Sequence, residues 1–484
     1  HLRMILQVTS DVGRADLDGD AVPGKLVLRA DARQHQQPRR VQCACRQDDL
    51  GTERAARRPV KLALPRPFMI NNTTHRSATV QRIRLAATKD GKLTAISHEA
   101  ASHTLPGGRG EDATAQTPFF YASESRRVRH HLVDMNLPEA SDMRAPGEGS
   151  GLMALEVAMD EMAEKLGMDP VEFRIRNDTQ VNPKNPSVPF SDRHFVECLR
   201  EGAERFGWSE RNATPGGRRE GQWLIGQGVA GAYRGHMNLA SGARVRLSGG
   251  KLVVESDMTD IGTGSYTIIA QTAAETMGLP VEAIEVRLGN SAYPVASGSG
   301  GQFGASSSTA GVYAACLALR REIARRLELD HPEFRDGNVI SGNKVVSLTE
   351  LDGEVTAEDK MNFGKFQSEE YLMATFGAHF VEVGVHIGTG ETRIRRMLAV
   401  CDSGRILNPI TARSQVIGGM VMGVGAALSE ELATDTGRGF FVNHDLAGYE
   451  VAVHADIPHQ EVVFLDTVDG VSTPLKAKGV GELG

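Results

Sequence analysis

The chain is short of cysteine, of net charge and of long apolar runs. Its five cysteines, Cys43, Cys45, Cys198, Cys316 and Cys401, are odd in number and scattered. That spacing argues against a disulfide framework, and a lone Cys-x-Cys is no zinc site. The clustered thiolates that hold an iron–sulfur centre are missing too. A net charge of −7 argues against nucleic acid as the main partner. No apolar run approaches the roughly 20 residues that a membrane span needs. No GxxxxGK[ST] phosphate loop occurs, so nucleotide hydrolysis lacks support. Two GxGxxG strings do occur. Gly226 to Gly231 runs into Ala232-Tyr233-Arg234 rather than a helix, and Gly479 to Gly484 is followed by no helix. Neither is a dinucleotide fingerprint, which needs strand, glycines, then helix.

What is present is a globular composition. The 484 residues are 40% apolar and 24% charged, enough for more than one core. Residues 1–58 are polar and show no period of 2 or 3.6, which predicts an atypical or poorly ordered segment. His1 is no initiator and no secretory leader is visible, so the chain is expected to begin inside a longer gene or after processing. From Pro59 the pattern sharpens. Strands are expected over 60–64, 78–85 and 93–98, the last two joined by the turn signal Asp90-Gly91. Leu152, Leu155, Met159, Met162 and Leu166 make a helical stripe over 151–167, and Asp169-Pro170-Val171-Glu172 opens a second helix. Further on, hairpins are expected at 243–255 and 376–400, and helices at 265–277, 309–327 and 411–428. Strands and helices without a regular βαβ alternation point to an α+β fold.

Fifty-three glycines cluster in short loops beside these elements, as where backbone approaches a ligand. Met143-Arg144-Ala145-Pro146-Gly147-Glu148 leads into a helix, whose first N–H groups bind anions. Thr259-Asp260-Ile261-Gly262-Thr263-Gly264 opens another. Ser297-Gly298-Ser299-Gly300-Gly301-Gln302 precedes a hydroxyl-rich run and a third helix, and offers many donors to a phosphate. Gly404-Arg405-Ile406-Leu407-Asn408-Pro409 leads to Gln415 and a helix rich in glycine and methionine. Gly479-Val480-Gly481-Glu482 sets a carboxylate among glycines. Taken singly, each has a plain alternative: a turn with a surface arginine at Arg144 or Arg234, a linker, close helix packing, a surface carboxylate at Glu482.

In this order the six strings resemble the molybdenum-binding subunit of the xanthine dehydrogenase/aldehyde oxidase family, closest to bacterial three-subunit aldehyde or xanthine dehydrogenases. The resemblance covers roughly 59–484. It implies two elongated mixed α/β lobes, a partial first molybdopterin-binding domain at 59–215 and a second at 216–484. It implies a molybdenum–molybdopterin cofactor, in the cytosine dinucleotide form, with the metal held through the pterin dithiolene and not by protein ligands. Arg144 and Ala145 match the loop at the metal end. Gly262, Thr263 and Gly264, with Ser299, Gly300, Gly301 and Gln302, match loops that cradle pterin and phosphates, and Gln415 matches a cofactor-contacting glutamine. Glu482 matches the catalytic base, which takes a proton from a Mo–OH group as its oxygen attacks an aldehyde or ring carbon and hydride passes to Mo=S. Arg234 is a second catalytic candidate, orienting a substrate carbonyl or carboxylate. Electrons then leave through an iron–sulfur (2Fe-2S) subunit and an FAD subunit, since this chain carries neither signature. The cytoplasm is the expected location, with the periplasm open if a partner carries an export signal. The chain departs from the family in having no Gly-Gly-x-Phe-Gly loop upstream of Pro59, in lacking much of the N-terminal half and in stopping just after Glu482. A truncated, non-catalytic fragment that only binds partner or cofactor is therefore the alternative.

Overall fold

The computed structural model describes residues 9–12, 63–363 and 370–484. The expectations for 1–58, Cys43 and Cys45 included, and most of the strand expected at 60–64, lie outside them, apart from Thr9–Val12. The described chain forms two compact units, each assembled from separate stretches of sequence.

The first unit comprises the described residues of His1–Ala115, Ser123–Met168 and Gly425–Ala452. Its sheet has four strands in sequence order: β1 (Thr9–Val12), β2 (Thr79–Ala87), β3 (Leu93–Thr104) and β4 (Ser125–Asp134). The β2–β3 hairpin turns where Asp90-Gly91 predicts it, and its register pairs Leu85 with Ile96. Helix α1 (Glu148–Leu166) packs on β2 with Leu155, Met159 and Met162 fully buried. It starts three residues before the expected 151, because Gly147 at φ 86° turns the chain so that Glu148 and Gly149 join the first turn. An acidic residue there complements the helix dipole.

The second unit comprises Gln116–Ala122, Asp169–Val424 and Val453–Gly484. Helix α2 (Pro170–Arg176) is capped as its sequence requires, with the Asp169 carboxylate accepting from the Val171 and Glu172 amides. Helix α3 (Phe195–Phe206) follows. Next come β5 (Arg218–Glu220), β6 (Trp223–Gly235), β7 (Ser241–Ser248), β8 (Lys251–Ser256), helix α4 (Ser265–Met277) and β9 (Ile284–Leu288). Its other main elements are helix α5 (Gly304–Arg326), β10 (Val355–Met361), β11 (Ala374–His386), β12 (Thr392–Asp402), helix α6 (Pro409–Leu428, in this unit to Val424) and β13 (His459–Phe464).

Two sheets result. One runs β10-β7-β8-β9 and carries α4 and α5, with Val245, Leu252, Ile269, Met277, Val312 and Leu319 in the core between them. The other runs β13-β12-β11-β6-β5, with α3 against β11 and β12. Under that sheet the Arg193 guanidinium is completely buried. It pairs with Asp178 at 2.6 Å and lies 4.5–5.8 Å from the rings of Phe120, Phe190, Phe195 and Phe376. Helix α5 begins at Gly304, not 309. The Ser306 and Thr309 hydroxyls bond back to the Phe303 and Ala305 carbonyls, and Ser307 Oγ accepts from the Leu239 amide. That hydroxyl-rich run is thus helix and not ligand loop.

Candidate functional site

The second unit brings together residues far apart in sequence. Arg234 is the penultimate residue of β6, in register with Thr375 of the neighbouring β11. Its Nη2 lies 2.8 Å from Glu482 Oε2, with 9% and 12% of the two side chains exposed. The contact is an ion pair rather than a well-directed hydrogen bond. Gln302 sits in the left-handed region at φ 55° and donates from Nε2 to Thr375 Oγ1 at 3.1 Å. Thr375 in turn donates to the Arg234 carbonyl at 3.4 Å. Gln302 Oε1 is buried with no hydrogen-bond partner among the described residues. Gly301 and Gly479 close the cluster. A Cβ at 301 would stand 3.6 Å from Arg234 Nη2, and one at 479 would meet the Gln302 carbonyl and lie 2.6 Å from its Cγ. A Cβ at 481 would stand 3.6 Å from Gln415 Oε1.

The segment carrying Glu482 is held by its backbone. The Lys478 amide donates to the Ser403 carbonyl at 2.9 Å, and the Leu483 carbonyl accepts from His379 Nε2 at 3.0 Å. Burial lowers the pKa of His379, so it donates as the neutral ring. The Lys478 ammonium is fully buried, 3.7, 3.8 and 3.9 Å from carboxylate oxygens of Asp469, Asp402 and Asp192. Asp192, His194 and Asp402 gather three potential metal-ligand atoms within 4.8 Å. Lys478 already supplies a cation at that spot, which disfavours a metal ion. Burial pushes the Asp402 carboxyl up, but His194, Lys478 and Thr467 outweigh it and leave it well below the usual carboxylate range. Its hydrogen bond with His194 raises that imidazole's pKa.

Around this cluster three helix N-termini converge. Gly264, at φ 86°, caps α4, and a Cβ there would come within 2.7 Å of Thr411 Cγ2 in the first turn of α6. Asn408, just before α6, reaches Gln271 of α4 at 3.4 Å. Ser299 Oγ donates to the Thr259 carbonyl, and a Cβ at Gly304, where α5 starts, would lie 3.1 Å from Met258 Cε. The loops 258–264 and 297–304 are therefore neighbours. Each N-terminus carries roughly half a positive charge. The Ile410 and Thr411 amides of α6 already donate to Asn408 Oδ1 at 3.0 and 3.1 Å, so the ends suited to an anion are those of α4 and α5.

Arg144 and Ala145 belong to the first unit, whose loop is propped by residues the sequence did not single out. Arg76 pairs with the buried Glu111 at 2.6 Å and donates to the Arg144 carbonyl. Glu111 Oε1 also accepts from the Gly147 amide at 3.0 Å and from Ser150 Oγ at 2.7 Å. Ala145 takes φ 56°, a strained value for a residue with a Cβ.

Residues 201–458, more than half the chain, match the family model described as a molybdopterin cofactor-binding domain, and residues 52–178 match a second model of that description. The chain belongs to the molybdopterin cofactor-binding family. Among its relatives, the aldehyde oxidoreductase molybdenum-binding subunit PaoC of Escherichia coli (strain K12) is 56% identical over 471 residues, covering 96% of this chain and 62% of that protein. The putative xanthine dehydrogenase molybdenum-binding subunit XdhA of the same organism is 29% identical, covering 88% and 60%. Reconstituted CO dehydrogenase from Oligotropha carboxidovorans superposes with a TM-score of 0.78 at 19% identity, over 90% of this chain and 60% of that one. The aldehyde oxidoreductase of Desulfovibrio desulfuricans gives 0.73 at 22%, over 89% and 48%. At such identities the structures speak to fold alone, and they bear out the mixed α/β architecture expected of the family. The chain spans about three fifths of the length of the curated relatives just named.

In this molybdopterin-binding chain the residues fit the group. Gln302 Oε1 offers a buried acceptor to a ring N–H, the converging helix termini suit phosphate, and bare glycine backbone leaves room for a bulky ring system. Thr375, His379 and Lys478 escaped the sequence reading. The first two lie on β11 with no local motif, and Lys478 precedes the glycines with no motif of its own.

Proposed function

We propose that this chain is the cofactor-binding, catalytic part of a molybdenum hydroxylase that oxidises an aldehyde or hydroxylates an N-heterocycle. The similarity to PaoC favours the aldehyde. The observation that carries the reading is the Arg234–Glu482 pair, buried beside Gln302 where three helices begin. When bound, the molybdenum cofactor supplies two-electron redox chemistry, with water as the source of the inserted oxygen. The protein's part is positional and acid–base. Gln302 and Gln415 read the pterin edge. Thr263 and Gly264, with Ser299, Gly300 and Gly301, present backbone amides to phosphates, Gly262 shapes the loop with its own amide held by Asp260 at 2.6 Å, and a cytosine dinucleotide would extend that contact. Arg144 and Ala145 serve the metal end. Glu482 accepts the proton as the C–O bond forms, and Arg234 aims its Oε2 and offers a planar donor fork to the substrate's carbonyl or carboxylate oxygen.

On this reading 59–215 and 216–484 are each a molybdopterin-binding domain, the first of them partial, and electrons pass to a 2Fe-2S subunit and an FAD subunit. No helix among the described residues is long and apolar enough to cross a membrane. The test is Glu482→Gln in the chain assembled with its partners. Turnover should fall by about 10²–10⁴ with molybdenum and pterin content unchanged. Unchanged turnover would remove Glu482 from the mechanism.

A further inference from the structure

The link that follows β6 holds a second device. His236 lies two residues beyond Arg234 and is 7% exposed. Its Nδ1 accepts the Gly479 amide at 3.3 Å, and its Nε2 meets Asn238 Oδ1 at 3.1 Å. A ring nitrogen that accepts carries no proton, so the hydrogen must reside on Nε2, where it donates to Asn238. Asn238 is completely buried and donates from Nδ2 to the Ser472 carbonyl at 2.7 Å. Two adjoining side chains therefore grip the 472–479 segment at both ends. Burial, reinforced by the Lys478 charge, lowers the His236 pKa to about 4, which keeps the ring neutral and Nδ1 free to accept.

We propose that His236 is a positioning residue that sets the Glu482 turn against Arg234 by holding the Gly479 amide. The strand end that presents the guanidinium thereby also registers the turn that presents the carboxylate. Gly479 is the right point to grip, because its backbone lies directly on Gln302 and Glu482 follows three residues later. Without the bond, the turn keeps its Ser403 and His379 contacts but loses the one that ties it to the end of β6, and the 2.8 Å separation of Arg234 and Glu482 is less tightly set. The catalytic half of this inference rests on Glu482 being the base. The clasp itself does not.

Two substitutions separate the bond from the bulk of the ring, made in the chain assembled with its partner subunits. In H236N the side-chain oxygen falls near the Nδ1 position and keeps an acceptor for Gly479. In H236Q the amide reaches the Nε2 position and loses it. Hydrogen exchange of the Gly479–Leu483 amides should rise about tenfold in H236Q and stay near wild type in H236N. In H236Q kcat should fall at least tenfold while KM and molybdenum content hold, and H236N should restore most of it. Unchanged exchange in H236Q, or equal losses in both variants, would overturn the clasp. Raised exchange in H236Q with kcat untouched would overturn its link to catalysis. Raised exchange in H236Q, together with an inert Glu482→Gln, would leave the clasp standing and refute the proposed base instead. If neither variant folds, nitrogen NMR of isotope-labelled histidine in the wild-type chain decides. The Nε2–H tautomer at His236 supports the clasp, and the Nδ1–H tautomer refutes it.

Discussion

Gly479→Ala is the smallest change that should disable the site. The added methyl would meet the Gln302 carbonyl and stand 2.6 Å and 2.8 Å from Gln302 Cγ and Cβ. Real Cβ atoms do not come so close, so either the turn or Gln302 must move. Gln302 cannot yield easily, since it is held by Thr375 at 3.1 Å and already sits at φ 55°. Overpacking of this kind costs about 1–3 kcal/mol, which lowers the melting temperature by a few degrees in a protein of this size. The functional effect should be larger, because the displaced atoms carry Glu482. We expect turnover to fall by at least tenfold and pterin content to drop with it. Gly470→Ala is the control: a methyl there meets nothing within 4 Å, and the change should stay within about 0.5 kcal/mol of wild type. The assay is a thermal melt of both variants beside turnover and pterin content. A Gly479→Ala protein as stable and as active as Gly470→Ala would refute the close packing of turn on Gln302.

Other outcomes follow from the same contacts. Arg193→Met leaves Asp178 buried without its cation and should cost about 3–5 kcal/mol, whereas the double change R193M/D178L should recover much of that loss in urea melts; equal losses in the single and double variants would refute the pairing. Burial, the largest influence on each, lowers His75, His98 and His236 from 6.5 to about 4. Below pH 6.5 the unfolded chain binds protons that these folded rings refuse, so stability present above that pH is lost as it falls toward 4. Each ring contributes on the order of 3 kcal/mol to that loss, while His194, raised by its bond to Asp402, works in the opposite sense. Urea midpoints measured from pH 7 to pH 4 should fall steadily, and a flat profile would contradict the buried neutral rings. Glu111→Gln weakens the prop under the Arg144 loop. It should increase hydrogen exchange over 144–150, and unchanged exchange there would exclude Glu111 from that role.

The regular elements were legible because their boundaries are written locally. Helix α4 runs over the expected 265–277, between Gly264 and Gly278, both left-handed. Helix α2 carries its own cap, and both hairpins around 249–250 and 388–390 close where their glycines stand. The misplaced starts of α1 and α5 share a cause. Glycine- and serine-rich stretches read as loops, glycine for its backbone freedom and serine because its hydroxyl competes for the backbone, yet here Ser306, Ser307 and Thr309 spend their hydroxyls inside or against the helix. The site was legible as a set of strings but not as a geometry. Arg234 looked no better than a surface arginine, because its partner Glu482 lies at the other end of the unit's sequence. His236 and Lys478 gave no local signal at all; what marks them is burial and the groups they face.

The central claim is that this chain holds a molybdopterin cofactor in the cluster around Gln302, Gln415 and Glu482. It is tested most directly by producing the chain with its partner subunits in a host that makes molybdopterin, then measuring molybdenum and pterin per chain in the wild type and in Gln302→Leu. Our account predicts near-stoichiometric metal and pterin in the wild type, with pterin sharply reduced in a Gln302→Leu protein that still folds. A folded wild-type chain free of molybdenum and pterin, or a Gln302→Leu variant that retains both, would contradict it.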